Sequence, residues 1–423
     1  MISLAEAQKF VLDACPEMSA VSWAVSDALG CVVSSTIRAA QPVPPFTNAS
    51  RDGYALRSAD TARASREIPG RFPVVGTVMA GQRPRRAVGR QQVVRIMTGA
   101  PVPEGADAVC QLEDCHMSSD GAIVIEQPVA PGTAIRLAGE DVAPGRVLLQ
   151  AGSLLTPAHL GVLAGQGMQR VAVHPRPRVG VISTGDELAS DDNQLRMGQI
   201  RDTNRPLLIG LVEREGWQSV DLGISPDDEA TISEVLDRGA ACDALITSGG
   251  VSVGDRDVVR TVVSDRSGRT ARSMQVAIRP AKPFTFGVLE DSNTPVFALP
   301  GNPVSAMVSF EMFVRPAIRR MAGHHQLYRP VVLAQASHAM PKRSDGKTHF
   351  VGVDCYLNRN GRWRVRSVGG PASHQLAAMS RANALAILRE APGVKRWDQL
   401  PVMLIEVTGL EAASLDWAEV VDS

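Results

Sequence analysis

Between about residues 176 and 327, short apolar runs alternate with segments striped at helical spacing, and this alternation leaves few folds open. Val179-Gly-Val-Ile182 and Ala244-Leu-Ile-Thr247 read as strands buried on both faces. Leu207, Leu208, Leu211 and Val212 share one helix face, and Ser225-Pro226 opens a helix carrying Ile232, Val235 and Leu236. Val258, Val259, Val262 and Val263 stripe a third. The pattern predicts a largely parallel sheet covered by helices.

In open sheets of this kind, ligands bind beyond the carboxyl ends of the strands. Three loops leave strand ends here with unusual composition: Ser183-Thr-Gly-Asp-Glu-Leu188, Ser248-Gly-Gly-Val-Ser-Val-Gly-Asp-Arg-Asp257 and Leu299-Pro-Gly-Asn-Pro-Val-Ser305. Their glycines permit positive φ and close backbone approach, and amides at a helix start donate to phosphate-like anions. Candidate anion contacts are therefore Ser248, Gly249, Gly250, Ser252 and Gly254, with Pro300, Gly301, Asn302 and Pro303. Glu187, Asp228 and Asp257 offer the hard oxygens that Mg²⁺ prefers. Singly, each loop reads as a tight turn and each acid as a cap or a solvated charge. Three such loops on one sheet point to a site.

The rest of the chain bounds the function. A length of 423 residues implies two to four domains, and 44% hydrophobic with 21% charged residues is ordinary for a folded protein. With 44 basic and 44 acidic residues the net charge is zero, so neither nucleic acid nor a membrane is an expected partner. Only five lysines occur: Lys9, Lys282, Lys342, Lys347 and Lys395. The six cysteines form no zinc pattern and read as buried free thiols. Neither a signal peptide nor an apolar run of spanning length is visible, which makes the cytoplasm the expected location.

Four zones follow. Residues 1–45 and 144–175 form a discontinuous first domain, in which an amino-terminal helix and a helix capped by Thr156-Pro157 are expected to pack together. Residues 46–143 form a β-rich insert with strand runs at Phe72-Pro-Val-Val75, Gln92-Val-Val-Arg-Ile96 and Ala122-Ile-Val-Ile125. The α/β domain occupies 176–328. Residues 329–423 form a carboxyl-terminal β domain whose Cys355-Tyr-Leu and Trp363-Arg-Val runs flank Asn360-Gly361, suited to a type I′ hairpin turn.

The loops, together with Pro45-Phe-Thr-Asn48, Arg51-Asp-Gly-Tyr54, Arg95-Ile-Met-Thr-Gly99, Pro103-Glu-Gly-Ala-Asp-Ala108, Gly139-Glu-Asp141 and Asp202-Thr-Asn-Arg205, occur in one order along nearly the whole chain. In this the chain resembles the molybdopterin molybdenumtransferases of the MoeA and gephyrin E-domain type. The resemblance implies a central three-layer α/β molybdopterin-binding domain like that of MogA and MoaB. Around it are implied a β-rich insert, a split elongated helical and extended domain, and a carboxyl-terminal β-barrel-like domain. It further implies an elongated homodimer with the cleft shared between subunits, and hand-over of substrate from a MogA-type adenylyltransferase. By the same resemblance Asp52 and Thr98 line the cleft, and Arg136 lies near the anionic groups. Glu187, Asp228 and Asp257 handle metal and molybdate, Lys282 is the lysine of a Lys-Pro-Gly-Lys-Pro segment, and Ser373-His374 matches a Ser-His pair.

Two positions depart from that pattern. The lysine segment reads Arg279-Pro-Ala-Lys-Pro283, replacing a point donor by a planar fork and a glycine by Ala281, harmless unless φ is positive. Val351 stands where a basic residue follows His349-Phe350 in the family. The implied reaction inserts molybdenum from molybdate into adenylylated molybdopterin and releases AMP. Because molybdate and pyrophosphate repel, the reaction needs Mg²⁺ and basic donors and no protein nucleophile. A non-catalytic scaffold and a CinA-like nucleotide pyrophosphatase are the competing readings. The complete acidic set opposes the first, and the β insert and β tail oppose the second.

Overall fold

The computed structural model describes residues 1–189, 194–250, 258–358, 360–369, 375–389 and 392–406. They form two compact units, one of residues 1–21, 30–34 and 172 onward, the other of residues 22–29 and 35–171. Helix α1 (Leu4–Asp13) starts at a capping box in which Ser3 and Glu6 satisfy each other's backbone N–H. Its apolar stripe, Ala7 and Val11, then enters the core of the α/β unit together with Cys15.

The other unit is β-rich. Strands β1 (Gly53–Leu56), β2 (Val74–Val78), β3 (Val93–Ile96) and β4 (Ala108–Gln111) form a sheet in the order β2-β3-β1-β4. Alternation at period two gives this sheet two apolar faces. Ala55, Val94, Ile96 and Val109 pack on one side; Tyr54, Leu56, Val93 and Cys110 pack on the other. The expected run through Phe72-Pro-Val-Val75 divides at Pro73 into two strands belonging to different sheets, because proline cannot donate to a ladder. Helix α2 (Pro157–Gly165) has the expected Thr156 cap. It packs against the turn Val25–Asp27 of its own unit, while α1 belongs to the α/β core. Amphipathic stripes require apolar cover without specifying which cover.

Strands β5 (Arg178–Thr184), β6 (Gln218–Ser225), β7 (Ala244–Ser248), β8 (Arg272–Gln275), β9 (Pro283–Val288) and β10 (Pro295–Leu299) form one sheet ordered β6-β5-β7-β10-β9-β8. The first four are parallel, and β9 runs antiparallel to both its neighbours, β10 and β8. Helices α3 (Asn204–Arg214), α4 (Glu229–Gly239) and α5 (Val258–Ser267) carry the expected stripes. Helix α4 begins at Glu229, not at Ser225-Pro226, because Asp228 caps it. After β10, a helical run passes from α6 (Pro303–Ser309) through a π segment (Phe310–Val314) into α7 (Arg315–Met321) and is almost wholly buried.

The carboxyl-terminal region is a closed five-stranded barrel. Its strands are β11 (Val331–Ala336), β12 (Thr348–Leu357), β13 (Trp363–Ser367), β14 (Ala384–Leu388) and β15 (Gln399–Leu404), closed by the β12–β14 pairing. Its β12–β13 hairpin forms at the expected place, with Leu357 opposite Trp363. The turn is longer than a two-residue type I′ loop. The Asn358 N–H donates to the Arg362 carbonyl, and Gly361 takes φ +67°.

Candidate active site

Strands β5, β7 and β10 end level with one another: Ser183 lies opposite Ser248, and Ser248 opposite Leu299. Their three loops meet around a cavity of about 430 Å³ lined by Ser183, Thr184, Glu187, Ser248, Gly249, Gly301, Asn302 and Pro303. The glycines are there for space. Gly249 has φ +112°, and a Cβ on it would stand 2.2 Å from the Thr184 carbonyl oxygen. A Cβ on Gly301 would sit 3.7 Å from the Gly249 Cα, so two strand-end loops abut through bare backbone. Asn302 occupies the N-cap position of α6 without a side-chain cap, and Pro303 follows it at the first turn.

Two residues outside the expected site set hold these loops together. Asn204, 7% exposed, donates from Nδ2 to Ser248 Oγ and to the Gly301 carbonyl, both at 2.7 Å. Asp202, 5% exposed, accepts from Ser183 Oγ at 2.9 Å, from the Asn204 and Arg205 N–H groups, and from Arg205 Nε at 3.0 Å. A carboxylate and an amide thereby tie the start of α3 to all three strand ends. The sequence signal was present, since both lie in the Asp202-Thr-Asn-Arg205 motif, but the motif does not say which groups they reach. Among the described residues Thr184 Oγ1 and Asn204 Oδ1, at the cavity's edge, are buried without a hydrogen-bond partner.

The acidic candidates separate. Glu187 is exposed at the cavity, its carboxylate folded back over Gly185, where a Cβ would meet Oε2 at 2.6 Å. Asp228 caps α4, accepting the Thr231 N–H at 2.9 Å and its hydroxyl at 2.8 Å; these bonds hold its carboxyl below the usual range. Asp227 was not anticipated. Desolvation first, then the charges of Asp186 and Glu187, raise its carboxyl above the usual range. Asp257, Ser252, Gly254 and Ser373 lie outside the described residues.

The basic candidates do not line the cavity. Arg279 faces Asp345 at 3.6 Å, and the Lys282 ammonium has no ion pair among the described residues. Between them Ala281 has φ +73°, so the backbone does require the conformation that glycine adopts freely. Pro300 is buried at the end of β10, and Gly250 has φ +61°. In the β-rich unit the structure brings two expected residues together: Asp52 Oδ1 accepts both the Thr98 N–H and its hydroxyl at 2.7 Å. Those bonds lower the Asp52 carboxyl. Arg136 is exposed, paired through its backbone with Asn48.

Residues 2–167 match the MoeA N-terminal region (domain I and II), and residues 180–320, which carry the cavity, match a "probable molybdopterin binding domain". A molybdopterin molybdenumtransferase from Haemophilus influenzae is 35% identical over 93% of this chain and 96% of its own length. This chain belongs to the molybdopterin molybdenumtransferase family. A second family member, molybdopterin molybdenumtransferase 2 of Mycobacterium tuberculosis, is 37% identical over 92% of this chain and 96% of its own. The crystal structure of a molybdopterin biosynthesis MoeA protein from Pyrococcus horikoshii covers 96% of this chain and 99% of that one at 28% identity, with a TM-score of 0.81. As a molybdopterin molybdenumtransferase the chain is a transferase of molybdenum cofactor biosynthesis.

Proposed function

We propose that the enzyme transfers molybdenum from molybdate to adenylylated molybdopterin, with Mg²⁺, and that AMP leaves. The observation that carries this reading is the convergence of three strand-end loops on one polar cavity. Its hydroxyls and bare backbone suit phosphate oxygens, and the run beginning at α6 adds the donor character of a helix start. Ser183, Ser248 and Asn204 are prepositioned by Asp202 and by one another, so binding reorganises little. Arg136, Arg279 and Lys282 supply the positive charge that draws molybdate and the pyrophosphate together.

Mg²⁺ fits as a substrate-borne ion. Among the described residues no group of three or more His, Cys, Asp or Glu side chains could hold a metal, and Mg²⁺ commonly takes one or two carboxylates, substrate phosphates and water. Glu187, with Asp257, is the candidate pair. Asp228 has one carboxylate oxygen already committed to Thr231. When bound, Mg²⁺ would offset the repulsion between the two anions. Glu187 would orient it, and the Asp52–Thr98 pair would belong to a cleft that a second subunit completes.

Homodimer formation, hand-over from a MogA-type adenylyltransferase and a cytoplasmic location belong to the same reading. Among the described residues no helix is long and apolar enough to cross a membrane. The test is anaerobic incubation with adenylylated molybdopterin, molybdate and Mg²⁺, following AMP. Glu187→Ala and Asp52→Ala should each lower AMP release by roughly 10²–10³-fold, as loss of a preorganised electrostatic group does. A mixture of the two variants should recover part of it through hybrid dimers. Normal rates in both variants, or a fully active monomer, would overturn the reading.

A further inference from the structure

A cavity of about 630 Å³ lies in the β-rich unit, and its lining includes two cysteines, Cys110 and Cys115. The fold sets these five residues apart across one turn. Cys110 lies one residue before the end of its strand, 1% exposed, and the turn Leu112–Asp114 brings Cys115, half-buried, back toward it. Both sulfurs reach the same carbonyl: Cys115 Sγ donates to the Gln111 oxygen at 3.3 Å and Cys110 Sγ to the same oxygen at 3.8 Å. Carbonyls of the same turn accept from both thiols as well, Asp114 from Cys110 and Leu112 from Cys115, each at 3.9 Å. The other four cysteines, Cys15, Cys31, Cys242 and Cys355, are buried.

We infer that Cys110 and Cys115 form an oxidisable dithiol that closes to an intramolecular disulfide, with Cys115 the attacking sulfur and Cys110 the resolving one. Access and electronics agree on these roles. Cys115 opens to the cavity, and the neighbouring Cys110 thiol holds it below its ordinary value, against desolvation and the nearby charges of Asp114 and Glu113. Cys110 is pushed up by the neighbouring Cys115 and by burial, so it stays protonated until a partner sulfur is presented.

With glutathione disulfide as oxidant, the Cys115 thiolate attacks one sulfur, forms a mixed disulfide and expels one glutathione thiolate. Cys110 then gives up its proton and attacks the Cys115 sulfur, expelling the second glutathione. The protein loses two electrons and two protons; the glutathione gains both. The bond would pin the turn at Leu112–Asp114. That turn is tied to the proposed site from behind, because the Leu112 N–H donates to the Asp52 carbonyl, and Gly53 leaves no room for a Cβ against the Cys110 oxygen.

The experiment equilibrates the full chain in glutathione buffers of graded oxidation, quenches in acid, denatures and alkylates. Of six cysteines, all should be alkylated in reducing buffer and four in oxidising buffer. The intact mass before alkylation should fall by about 2 Da, localised to the peptide spanning Cys110 and Cys115 and reversed by dithiothreitol. Cys110→Ala should instead stop at a glutathione adduct on Cys115, and Cys115→Ser should form no adduct at Cys110. Six alkylated thiols in every buffer, or a mixed disulfide as the end point of the unsubstituted chain, would overturn the proposal. Neither readout depends on AMP release, so it stands or falls apart from the proposed reaction.

Discussion

Ala281 is buried at 3% exposure with φ +73°, a conformation that strains any residue with a Cβ. The strain sits between Arg279 and Lys282, the two cations assigned to substrate attraction, and it explains why the family pattern has glycine there. Replacing Ala281 by Gly should relieve about 1–2 kcal/mol of backbone strain and give back part of that through the lost methyl burial. A net gain of about 0.5–1 kcal/mol in urea unfolding is expected. An unchanged or lower midpoint would show that the surroundings accommodate the alanine. At the same scale Arg279 already faces Asp345, so its fork is not free for a second anion without rearrangement. Hydrogen bonds from His349 and the Lys347 N–H outweigh desolvation and hold Asp345 at about 2, keeping it ionised.

Helix α4 depends on a residue that also belongs to the acidic set expected from the sequence to handle metal. The Asp228 carboxylate satisfies the Thr231 N–H, one of the orphan donors of the first turn. Asp228→Ala removes cap and charge together, whereas Asp228→Asn keeps an acceptor and removes only charge. Differential scanning should find the alanine variant roughly 2–4 °C less stable and the asparagine variant close to the parent. If the charge serves the metal, both lose AMP release; full activity in Asp228→Asn would reduce the residue to a cap. The strand-end loops behave likewise as elements. Gly249 and Gly301 are small because two loops share one space, and Asn204 locks them from a third direction.

For the α/β and barrel unit as a whole, charge is buried in quantity. Glu311, fully enclosed on the π segment, pairs with Arg214 at 2.6 Å and Arg329 at 3.0 Å. Glu215 faces Arg315 at 3.0 Å and Arg319 at 3.5 Å, and also pairs with Arg329. Removing either glutamate would leave partly buried arginines without their counter-charge. His324 stands at the edge of this cluster, its Nδ1 accepting from Arg319 at 3.1 Å. Desolvation first, then the charges of Arg319 and Arg315, with a smaller push from His174, depress it to about 4, although Glu215 pulls the other way. Unfolding restores the ordinary value of 6.5, so between about 6.5 and 4 the unfolded chain binds more protons than the folded one. Stability should therefore fall as pH drops through that window, by on the order of 1–2 kcal/mol after discounting for partial solvent screening. His324→Gln should flatten that limb in urea midpoints measured from pH 7 to 4. An unchanged slope would assign the acid sensitivity to carboxylates instead.

The sequence by itself determined the type of most elements, the strand-end position of three unusual loops and the family. These rest on periodicity, turn chemistry and motif order, which are local properties of neighbouring residues. Glu187, Ser248, Gly249, Gly301, Asn302 and Pro303 were legible for that reason, since each sits where a strand must end. Tertiary structure alone decided what depends on residues far apart in the chain. It joined Asp52 to Thr98, sent α1 into the α/β core, set Asn204 across Ser248 and Gly301, and gave Asp228 a cap to hold. It also gave Ala281 its left-handed backbone and turned six apparently inert cysteines into four plus an interacting pair. Hydrogen bonds, close approach and desolvation act over a few ångströms of space, and a pattern read along the chain records only which residues are available to meet.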